Sequence, residues 1–367
     1  MREGARSLAM EALAVRGLRN LEVVDLAPGP RFNVISGENG QGKTNLLEAV
    51  YAVATSKSFR AARPGDLVAH GGAIASVRAT VREEDGTREQ SLGVKPGARM
   101  VRIDGKRPAT LAAYAVQTPI VVFHPGEVAL SMGGGGERRR LLDRLALYVS
   151  PGSMDELERY TRAVRERQRA LDVRGVAATD LDHWEELVVR HGAAVMDVRA
   201  ESAARLAAAA TLAFARIAAP GLVLDVAYAP SAPREEGAYR AALRAARPAD
   251  ARRGGASIGP HRDDLALAIG GHAVRGVASQ GQHRAVVLAL KSAEVEVVGE
   301  SRGVRPILLL DDVSSELDRS RTAALFAFLR DHHGQVFLTT TRRELIDIED
   351  GADRRDFEVV GGHVRRL

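Results

Sequence analysis

The sequence predicts an α/β fold with an inserted helical lobe, and three observations carry that reading. A short apolar strand with Phe32, Val34 and Ile35 runs into a glycine cluster, then into a helix over Asn45 to Ala54, with Leu46, Leu47, Val50 and Tyr51 at helical spacing. From Ile258 onward, strand and helix patterns alternate, which implies a largely parallel sheet. Between these regions, Ser153 to Ala219 lacks proline and is rich in Ala and charged residues, with Leu157, Val164 and Leu171 recurring at near-helical spacing. The expected organisation is therefore residues 1–122 and 256–367 as domain I and the mainly helical residues 123–255 as domain II.

The remaining elements follow in order. Residues 12–35 alternate apolar and polar through Leu13, Val15, Leu18, Leu21, Val23 and Val24 until Pro28 and Pro30 interrupt. Residues 66–123 read as short strands with turns at Gly71-Gly72, Asp85-Gly86, Pro96-Gly97 and Asp104-Gly105. Leu222 to Tyr228 is a strand, and residues 231–257, with Pro233 and Pro248, read as helix plus linker. After a strand from Ile258 come a helix (Gln282 to Val298), a purely apolar strand (Ile307 to Leu310), a helix near Ser320 to Leu329 and a strand from Gln335 to Thr340.

Composition narrows the chemistry. With 45% hydrophobic and 27% charged residues in 367, the chain is globular in character. The absence of Cys excludes disulfides, a cysteine-held zinc and a thiol nucleophile. No apolar run approaches the ~18 residues of a membrane span, so a cytoplasmic protein without membrane partners is expected. A net charge of +5 and a pI near 9.7, carried mainly by Arg, favour a polyanionic partner.

Gly37-Glu38-Asn39-Gly40-Gln41-Gly42-Lys43-Thr44 fits G-x-x-x-x-G-K-[ST] between a strand and a helix. In that pattern backbone amides wrap phosphates, Lys43 neutralises terminal phosphate oxygens, and the Thr44 hydroxyl ligates magnesium at the positive end of the helix. The strand Ile307 to Leu310 delivers Asp311 and Asp312 to the edge where open α/β sheets bind ligands. Asp311 is expected on the magnesium side, and Asp312 is expected to orient or deprotonate the attacking water. Alone, the two acids before Ser314 would also suit a helix cap. Ser279-Gln280-Gly281-Gln282 opens a helix; taken alone it is an N-cap, yet its exposed amide end suits an anion.

Together these segments resemble the ATP-binding-cassette ATPases of DNA repair. The extended phosphate loop Gly37 to Ala49, including Asn45, the signature-like Ser279-Gln280-Gly281-Gln282, and Leu308 to Asp318, which looks like the acidic strand and D-loop, carry the resemblance. So do Gly259-Pro260-His261-Arg262-Asp263-Asp264 and Phe123 to Asp143 with Arg138-Arg139-Arg140. His283 and Phe59 depart from the usual Gln and His, Thr339-Thr340-Thr341 stands where a switch His is common, and neither Gln117 nor His124 clearly matches the magnesium-sensing glutamine. The resemblance implies a P-loop cassette ATPase head with ATP and Mg as cofactors and weak, DNA-stimulated hydrolysis. It also implies an ATP-dependent homodimer in which Ser279 and Gly281 of one copy meet the phosphate loop of the other. DNA, especially gapped or junction DNA, RecR and RecO, and indirectly RecA, are the implied partners.

Three alternatives share some of these features. A head with long coiled arms would need a sustained heptad, which is absent; a transporter subunit would usually show a coupling glutamine and a switch His; and a non-hydrolysing binding module would keep the loop without turnover. Arg138 to Arg140, Arg159 to Arg169 and Arg252-Arg253 are candidate phosphate contacts. His183, Trp184 and His191 carry no ligand role.

Overall fold

In a computed structural model, residues 6–61, 63–218, 221–312, 319–346, 348 and 353–367 are described. The chain forms two compact units, Met1–Glu127 with Glu294–Leu367, and Val128–Ala293. Among the described residues no helix is long and apolar enough to cross a membrane.

The first unit begins with β1 (Leu8–Leu18), β2 (Leu21–Leu26), β3 (Phe32–Ser36) and α1 (Lys43–Thr55), followed by β4 (Ala75–Glu83), β5 (Gly86–Lys95), β6 (Ala98–Ile103), α2 (Leu111–Ala115) and β7 (Ile120–Phe123). Five strands form an antiparallel sheet in the order β2-β1-β4-β5-β6. The inward set of β1 switches from Leu8 and Met10 to Leu13 and Val15, and the pairing with β4 slips between Met10 and Ala12. One extra residue moves the side chains to opposite faces, and the bulge restores the apolar set to the core. Asp85-Gly86 and Pro96-Gly97 turn β4 into β5 and β5 into β6. Helix α1 is buried along most of its length, with Leu46, Leu47 and Val50 in the core.

The second unit holds α3 (Ala129–Met132), α4 (Gly135–Val149), α5 (Ser153–Arg174), α6 (Leu181–Ile217), β8 (Leu224–Ala229), α7 (Glu236–Arg253), β9 (Asp264–Ile269), β10 (His272–Ala273) and the start of α8 (Gln280–Arg302). Tyr160, Val188, Met196, Tyr239 and Leu243 form its main core. Two expectations change here. Pro260–Arg262 is a 3-10 turn, and the strand begins at Asp264. That strand joins a separate antiparallel sheet, β10-β9-β8, which is why the return to the first unit comes at Glu294 and not at 256. Pro248 also sits within α7 instead of breaking it; its ring is exposed, where water can serve the carbonyl that loses its donor.

The chain returns to the first unit through β11 (Ile307–Leu310), α9 (Arg319–His332), β12 (Val336–Thr340), β13 (Arg354–Val360) and β14 (His363–Arg366). These complete a six-stranded sheet in the order β14-β13-β3-β12-β11-β7, parallel except at β14. Parallel pairing brings the carboxyl ends of β3, β12, β11 and β7 to one edge, although their residues come from distant parts of the sequence.

Candidate nucleotide site

The loop from Gly37 to Gly42 leaves β3 at that edge and enters α1. Gly37, Gly40 and Gly42 have φ of 149°, 80° and 118°, conformations that only glycine adopts without strain. At Gly37 a β-carbon would also collide with the Val359 carbonyl of β13. Lys43 Nζ donates to the carbonyls of Gly37 (2.7 Å) and Glu38 (2.8 Å). Burial lowers the lysine pKa, against the pull of Asp312 and Asp311.

The two ends of the predicted site meet directly: Thr44 Oγ1 donates to Asp311 Oδ1 at 2.8 Å across 267 residues of sequence. Asp311 is buried, and desolvation raises its carboxyl pKa while the Thr44 and Thr339 hydroxyls pull it back. Asp312 follows in the left-handed region with φ 48°. Thr339, at the end of β12, donates to Asp311 Oδ1 (2.9 Å) and accepts the Asp312 N–H (2.9 Å).

The loop is held from outside by residues that the sequence did not single out. Gln41 accepts at its carbonyl from Gly362 N (2.9 Å) and from Asn20 Nδ2 (3.0 Å), and its side-chain oxygen accepts from Gly361 N (2.6 Å). Asn45 donates to Asn20 Oδ1 (2.7 Å) and accepts from Arg60 (2.5 Å). Below it, the fully buried carboxylate of Glu48 on α1 binds Arg19, Arg60 and Ser58, which together hold it below its usual pKa against desolvation. Arg60 is close enough to favour the charged form of Asp311. A Glu one turn into an apolar helix, with Arg nearby in sequence, was the available signal for this cluster. Glu38, Asn39 and Gly40 form the exposed crest of the loop.

Phe59 packs against Tyr51 and His124. His124 lies just past the carboxyl end of β7, on the site edge, whereas Gln117 precedes β7 and donates to Ala113 O of the preceding helix α2. Val313 to Asp318, the D-loop expectation, lie outside the described residues.

In the second unit, Ser279 and Gln282 form a reciprocal capping box: Gln282 N donates to Ser279 Oγ (3.2 Å) and Ser279 N to Gln282 Oε1 (2.8 Å). Ser279 and Gln280 are exposed, Gly281 and Gln282 partly so. His283, next in line, is buried with Nδ1 2.6 Å from Ser131 Oγ. The segment from Gly259 to Asp264 braces this unit. His261 bonds Tyr160 (2.6 Å), Asp263 binds Arg199, Tyr228 and Ser231, and Asp264 pairs with Arg138. Arg138 and Arg167 are thereby buried in ion pairs and turned away from solvent, while Arg159, Arg162, Arg165, Arg169, Arg252 and Arg253 are exposed. His191 pairs with Glu156, and Trp184 bonds Asp180. Among the described residues no group of three metal-ligating side chains occurs.

Comparison with known proteins gives the same picture at three levels. The RecF/RecN/SMC N terminal domain family matches residues 9–354. The chain is 42% identical to the DNA replication and repair protein RecF of Anaeromyxobacter sp. (strain Fw109-5) over 369 residues, covering 97% of this chain and 98% of that protein. Among solved structures it is similar to the recombination mediator protein RecF-ATPrS in the RecFOR pathway, with TM-score 0.89 and 26% identity over 100% of both chains. It is also similar to the RecF-ATP structure of that pathway, with TM-score 0.88 and 27% identity over 99% of this chain and 100% of that one.

Proposed function

The chain belongs to the RecF family within the RecF/RecN/SMC group, and on that premise we propose that it is a cytoplasmic, ATP-dependent DNA-binding ATPase of recombinational repair and replication restart. The observation that carries the reading is the 2.8 Å contact of Thr44 with Asp311 at the carboxyl edge of a parallel sheet, with Lys43 beside both acids. Gly37 to Thr44 would cradle the triphosphate, Lys43 would exchange its bonds to loop carbonyls for phosphate oxygens, and Asn45 and Gln41 would hold the loop in register. Thr44 and Asp311 supply the hard oxygen donors that suit magnesium, which when bound would neutralise charge developing on the phosphates. Asp312 would orient the attacking water and hold its proton.

The capping box leaves the Ser279 hydroxyl proton and the first amides of α8 available to an anion. We infer that they take the γ-phosphate bound by a second copy, so that ATP closes a homodimer on DNA and slow hydrolysis opens it. Gapped or junction DNA would be the substrate, RecO and RecR the partners, and RecA the protein loaded. The named functions of the relatives and the exposed arginines of α5 and α7 support this reading.

ATP hydrolysis measured against protein concentration, with and without gapped DNA, tests it. Turnover per chain should rise with concentration and with DNA, and Ser279→Arg should abolish the rise. A total rate strictly proportional to protein concentration, which the substitution leaves intact, would sink the two-chain site.

A further inference from the structure

We propose that Thr339 is a positioning residue of the ATPase centre, its single hydroxyl fixing the orientation of both acids. The inference rests on the reading that Asp311 and Asp312 serve hydrolysis. The β11–β12 register pairs Leu310 with Leu338, so the next residues along the two strands, Asp311 and Thr339, emerge side by side at the sheet edge. The Thr339 side chain is almost fully buried there, at 1% exposure.

A backbone N–H can only donate, so the 2.9 Å contact with Asp312 N makes Thr339 Oγ1 an acceptor. Its one proton is then free for Asp311 Oδ1, also at 2.9 Å. Asp311 Oδ1 takes the Thr44 hydroxyl as well. Two donors on one oxygen set the carboxylate rotation and leave Oδ2 outside both bonds, where a cation would be met. The second bond acts on the backbone. Asp312 holds a left-handed conformation, φ 48°, which a residue with a β-carbon leaves readily unless its surroundings hold it. Tying its N–H to a buried side chain opposes that relaxation and so aims its carboxylate. Valine at 339 would keep the shape of the strand and lose both bonds; serine would keep the hydroxyl and lose a methyl group.

The test compares Thr339→Val, Thr339→Ser and Asp312→Asn with the wild-type full-length chain, reading kcat, KM, the magnesium concentration for half-maximal turnover, and ATP affinity in EDTA by fluorescence titration. Thr339→Val should lower kcat by about 10- to 100-fold, the scale of one charge-assisted hydrogen bond. It should raise the magnesium requirement and leave magnesium-free ATP affinity within about twofold, because the lost bonds touch the acids and not the phosphate loop. Thr339→Ser should restore kcat to within about threefold. Wild-type turnover in Thr339→Val alongside an inactive Asp312→Asn would overturn the role of Thr339 alone. Equal impairment of the Val and Ser variants would do the same, by showing that shape and not the hydroxyl matters. Full turnover in Asp312→Asn would remove the acid assignment itself, and this inference with it.

Discussion

Each unit buries charged side chains, and while Glu48 of the first unit is closed by Arg19 and Arg60, the first unit's acidic centre and the second unit's ion pairs are arranged on opposite plans. In the second unit Arg167, at 1% exposure, lies between Glu185 (3.0 Å) and Asp250 (2.8 Å) and gives a third bond to the Leu243 carbonyl. Arg199 likewise lies between Asp143 and Asp263. Opposite charges close on one another within the unit. In the first unit two carboxylates are consecutive in sequence, burial pushes the Asp311 carboxyl up, and burial pushes the Lys43 amine down. Both groups sit where charge is disfavoured, with the Thr44 and Thr339 hydroxyls as near partners of Asp311 and loop carbonyls as those of Lys43. Buried charge by itself therefore says little about function. Closure by opposite charge builds architecture, whereas adjacent acids facing a depressed lysine suit a ligand that brings phosphate and cation together.

The sharpest way to break that contrast is to open the second unit's network. Arg167→Ala leaves the buried Asp250 carboxylate without its cation and Glu185 with Arg247 alone, and is expected to cost roughly 3–5 kcal/mol, read as a lowered urea midpoint; a midpoint shift equivalent to under about 1 kcal/mol would mean the network is not structural. Next comes the first unit's centre. Asp312→Asn should reduce ATP turnover by about 10²- to 10³-fold while leaving the thermal midpoint unchanged or raised, since a like charge is removed.

A third measurement uses a neutral buried group as reference. His332 of α9 lies 2.9 Å from the Pro306 carbonyl through Nε2, and burial lowers its pKa to about 4. The unfolded chain takes up this proton near pH 6.5 and the folded chain only near pH 4. Stability present above pH 6.5 should thus be lost as pH falls toward 4, by up to roughly 3 kcal/mol. His332→Gln should flatten that part of the pH–stability curve; an unchanged slope would locate the acid sensitivity elsewhere. The smallest effect is expected at the exposed Arg252 and Arg253. Alanine at either should shift stability by less than about 0.5 kcal/mol and lower the salt slope of DNA binding by about one. Unchanged slopes would return these residues to the solvated surface.

Sequence pattern exposed what depends on local chemistry. The glycine loop, the acidic strand end and the Ser-x-x-Gln helix start are spaced by backbone geometry, and each lies on the element expected for it. Other features depend on pairing between distant segments, which periodicity does not encode. β13 begins Arg354-Arg355-Asp356, so only Phe357, Val359 and Val360 announce a strand, yet it pairs with β3 and its Val359 carbonyl crowds Gly37. Alternation of strand and helix implies a parallel sheet and a strand near Ile258, whereas β9 starts at Asp264 and finds β8 as an antiparallel partner. Arg138 and Arg167 read as candidate phosphate contacts in sequence because the acids that pair with them, Asp264, Glu185 and Asp250, lie on other elements. Thr339 reads as one of three threonines standing where a switch His is common, and only the register places it beside Asp311.

The bonds from Gly361 and Gly362 to Gln41 have a temporal consequence, since they join residues about 320 positions apart. At ~5–20 residues per second, a ribosome making this chain leaves roughly half a minute between synthesis of the phosphate loop and synthesis of its outer brace. Asp311 also arrives late in that interval. A half-made chain would therefore hold nucleotide poorly, and adding ATP to stalled nascent chains should protect the loop from protease only after residue 362 has cleared the exit tunnel.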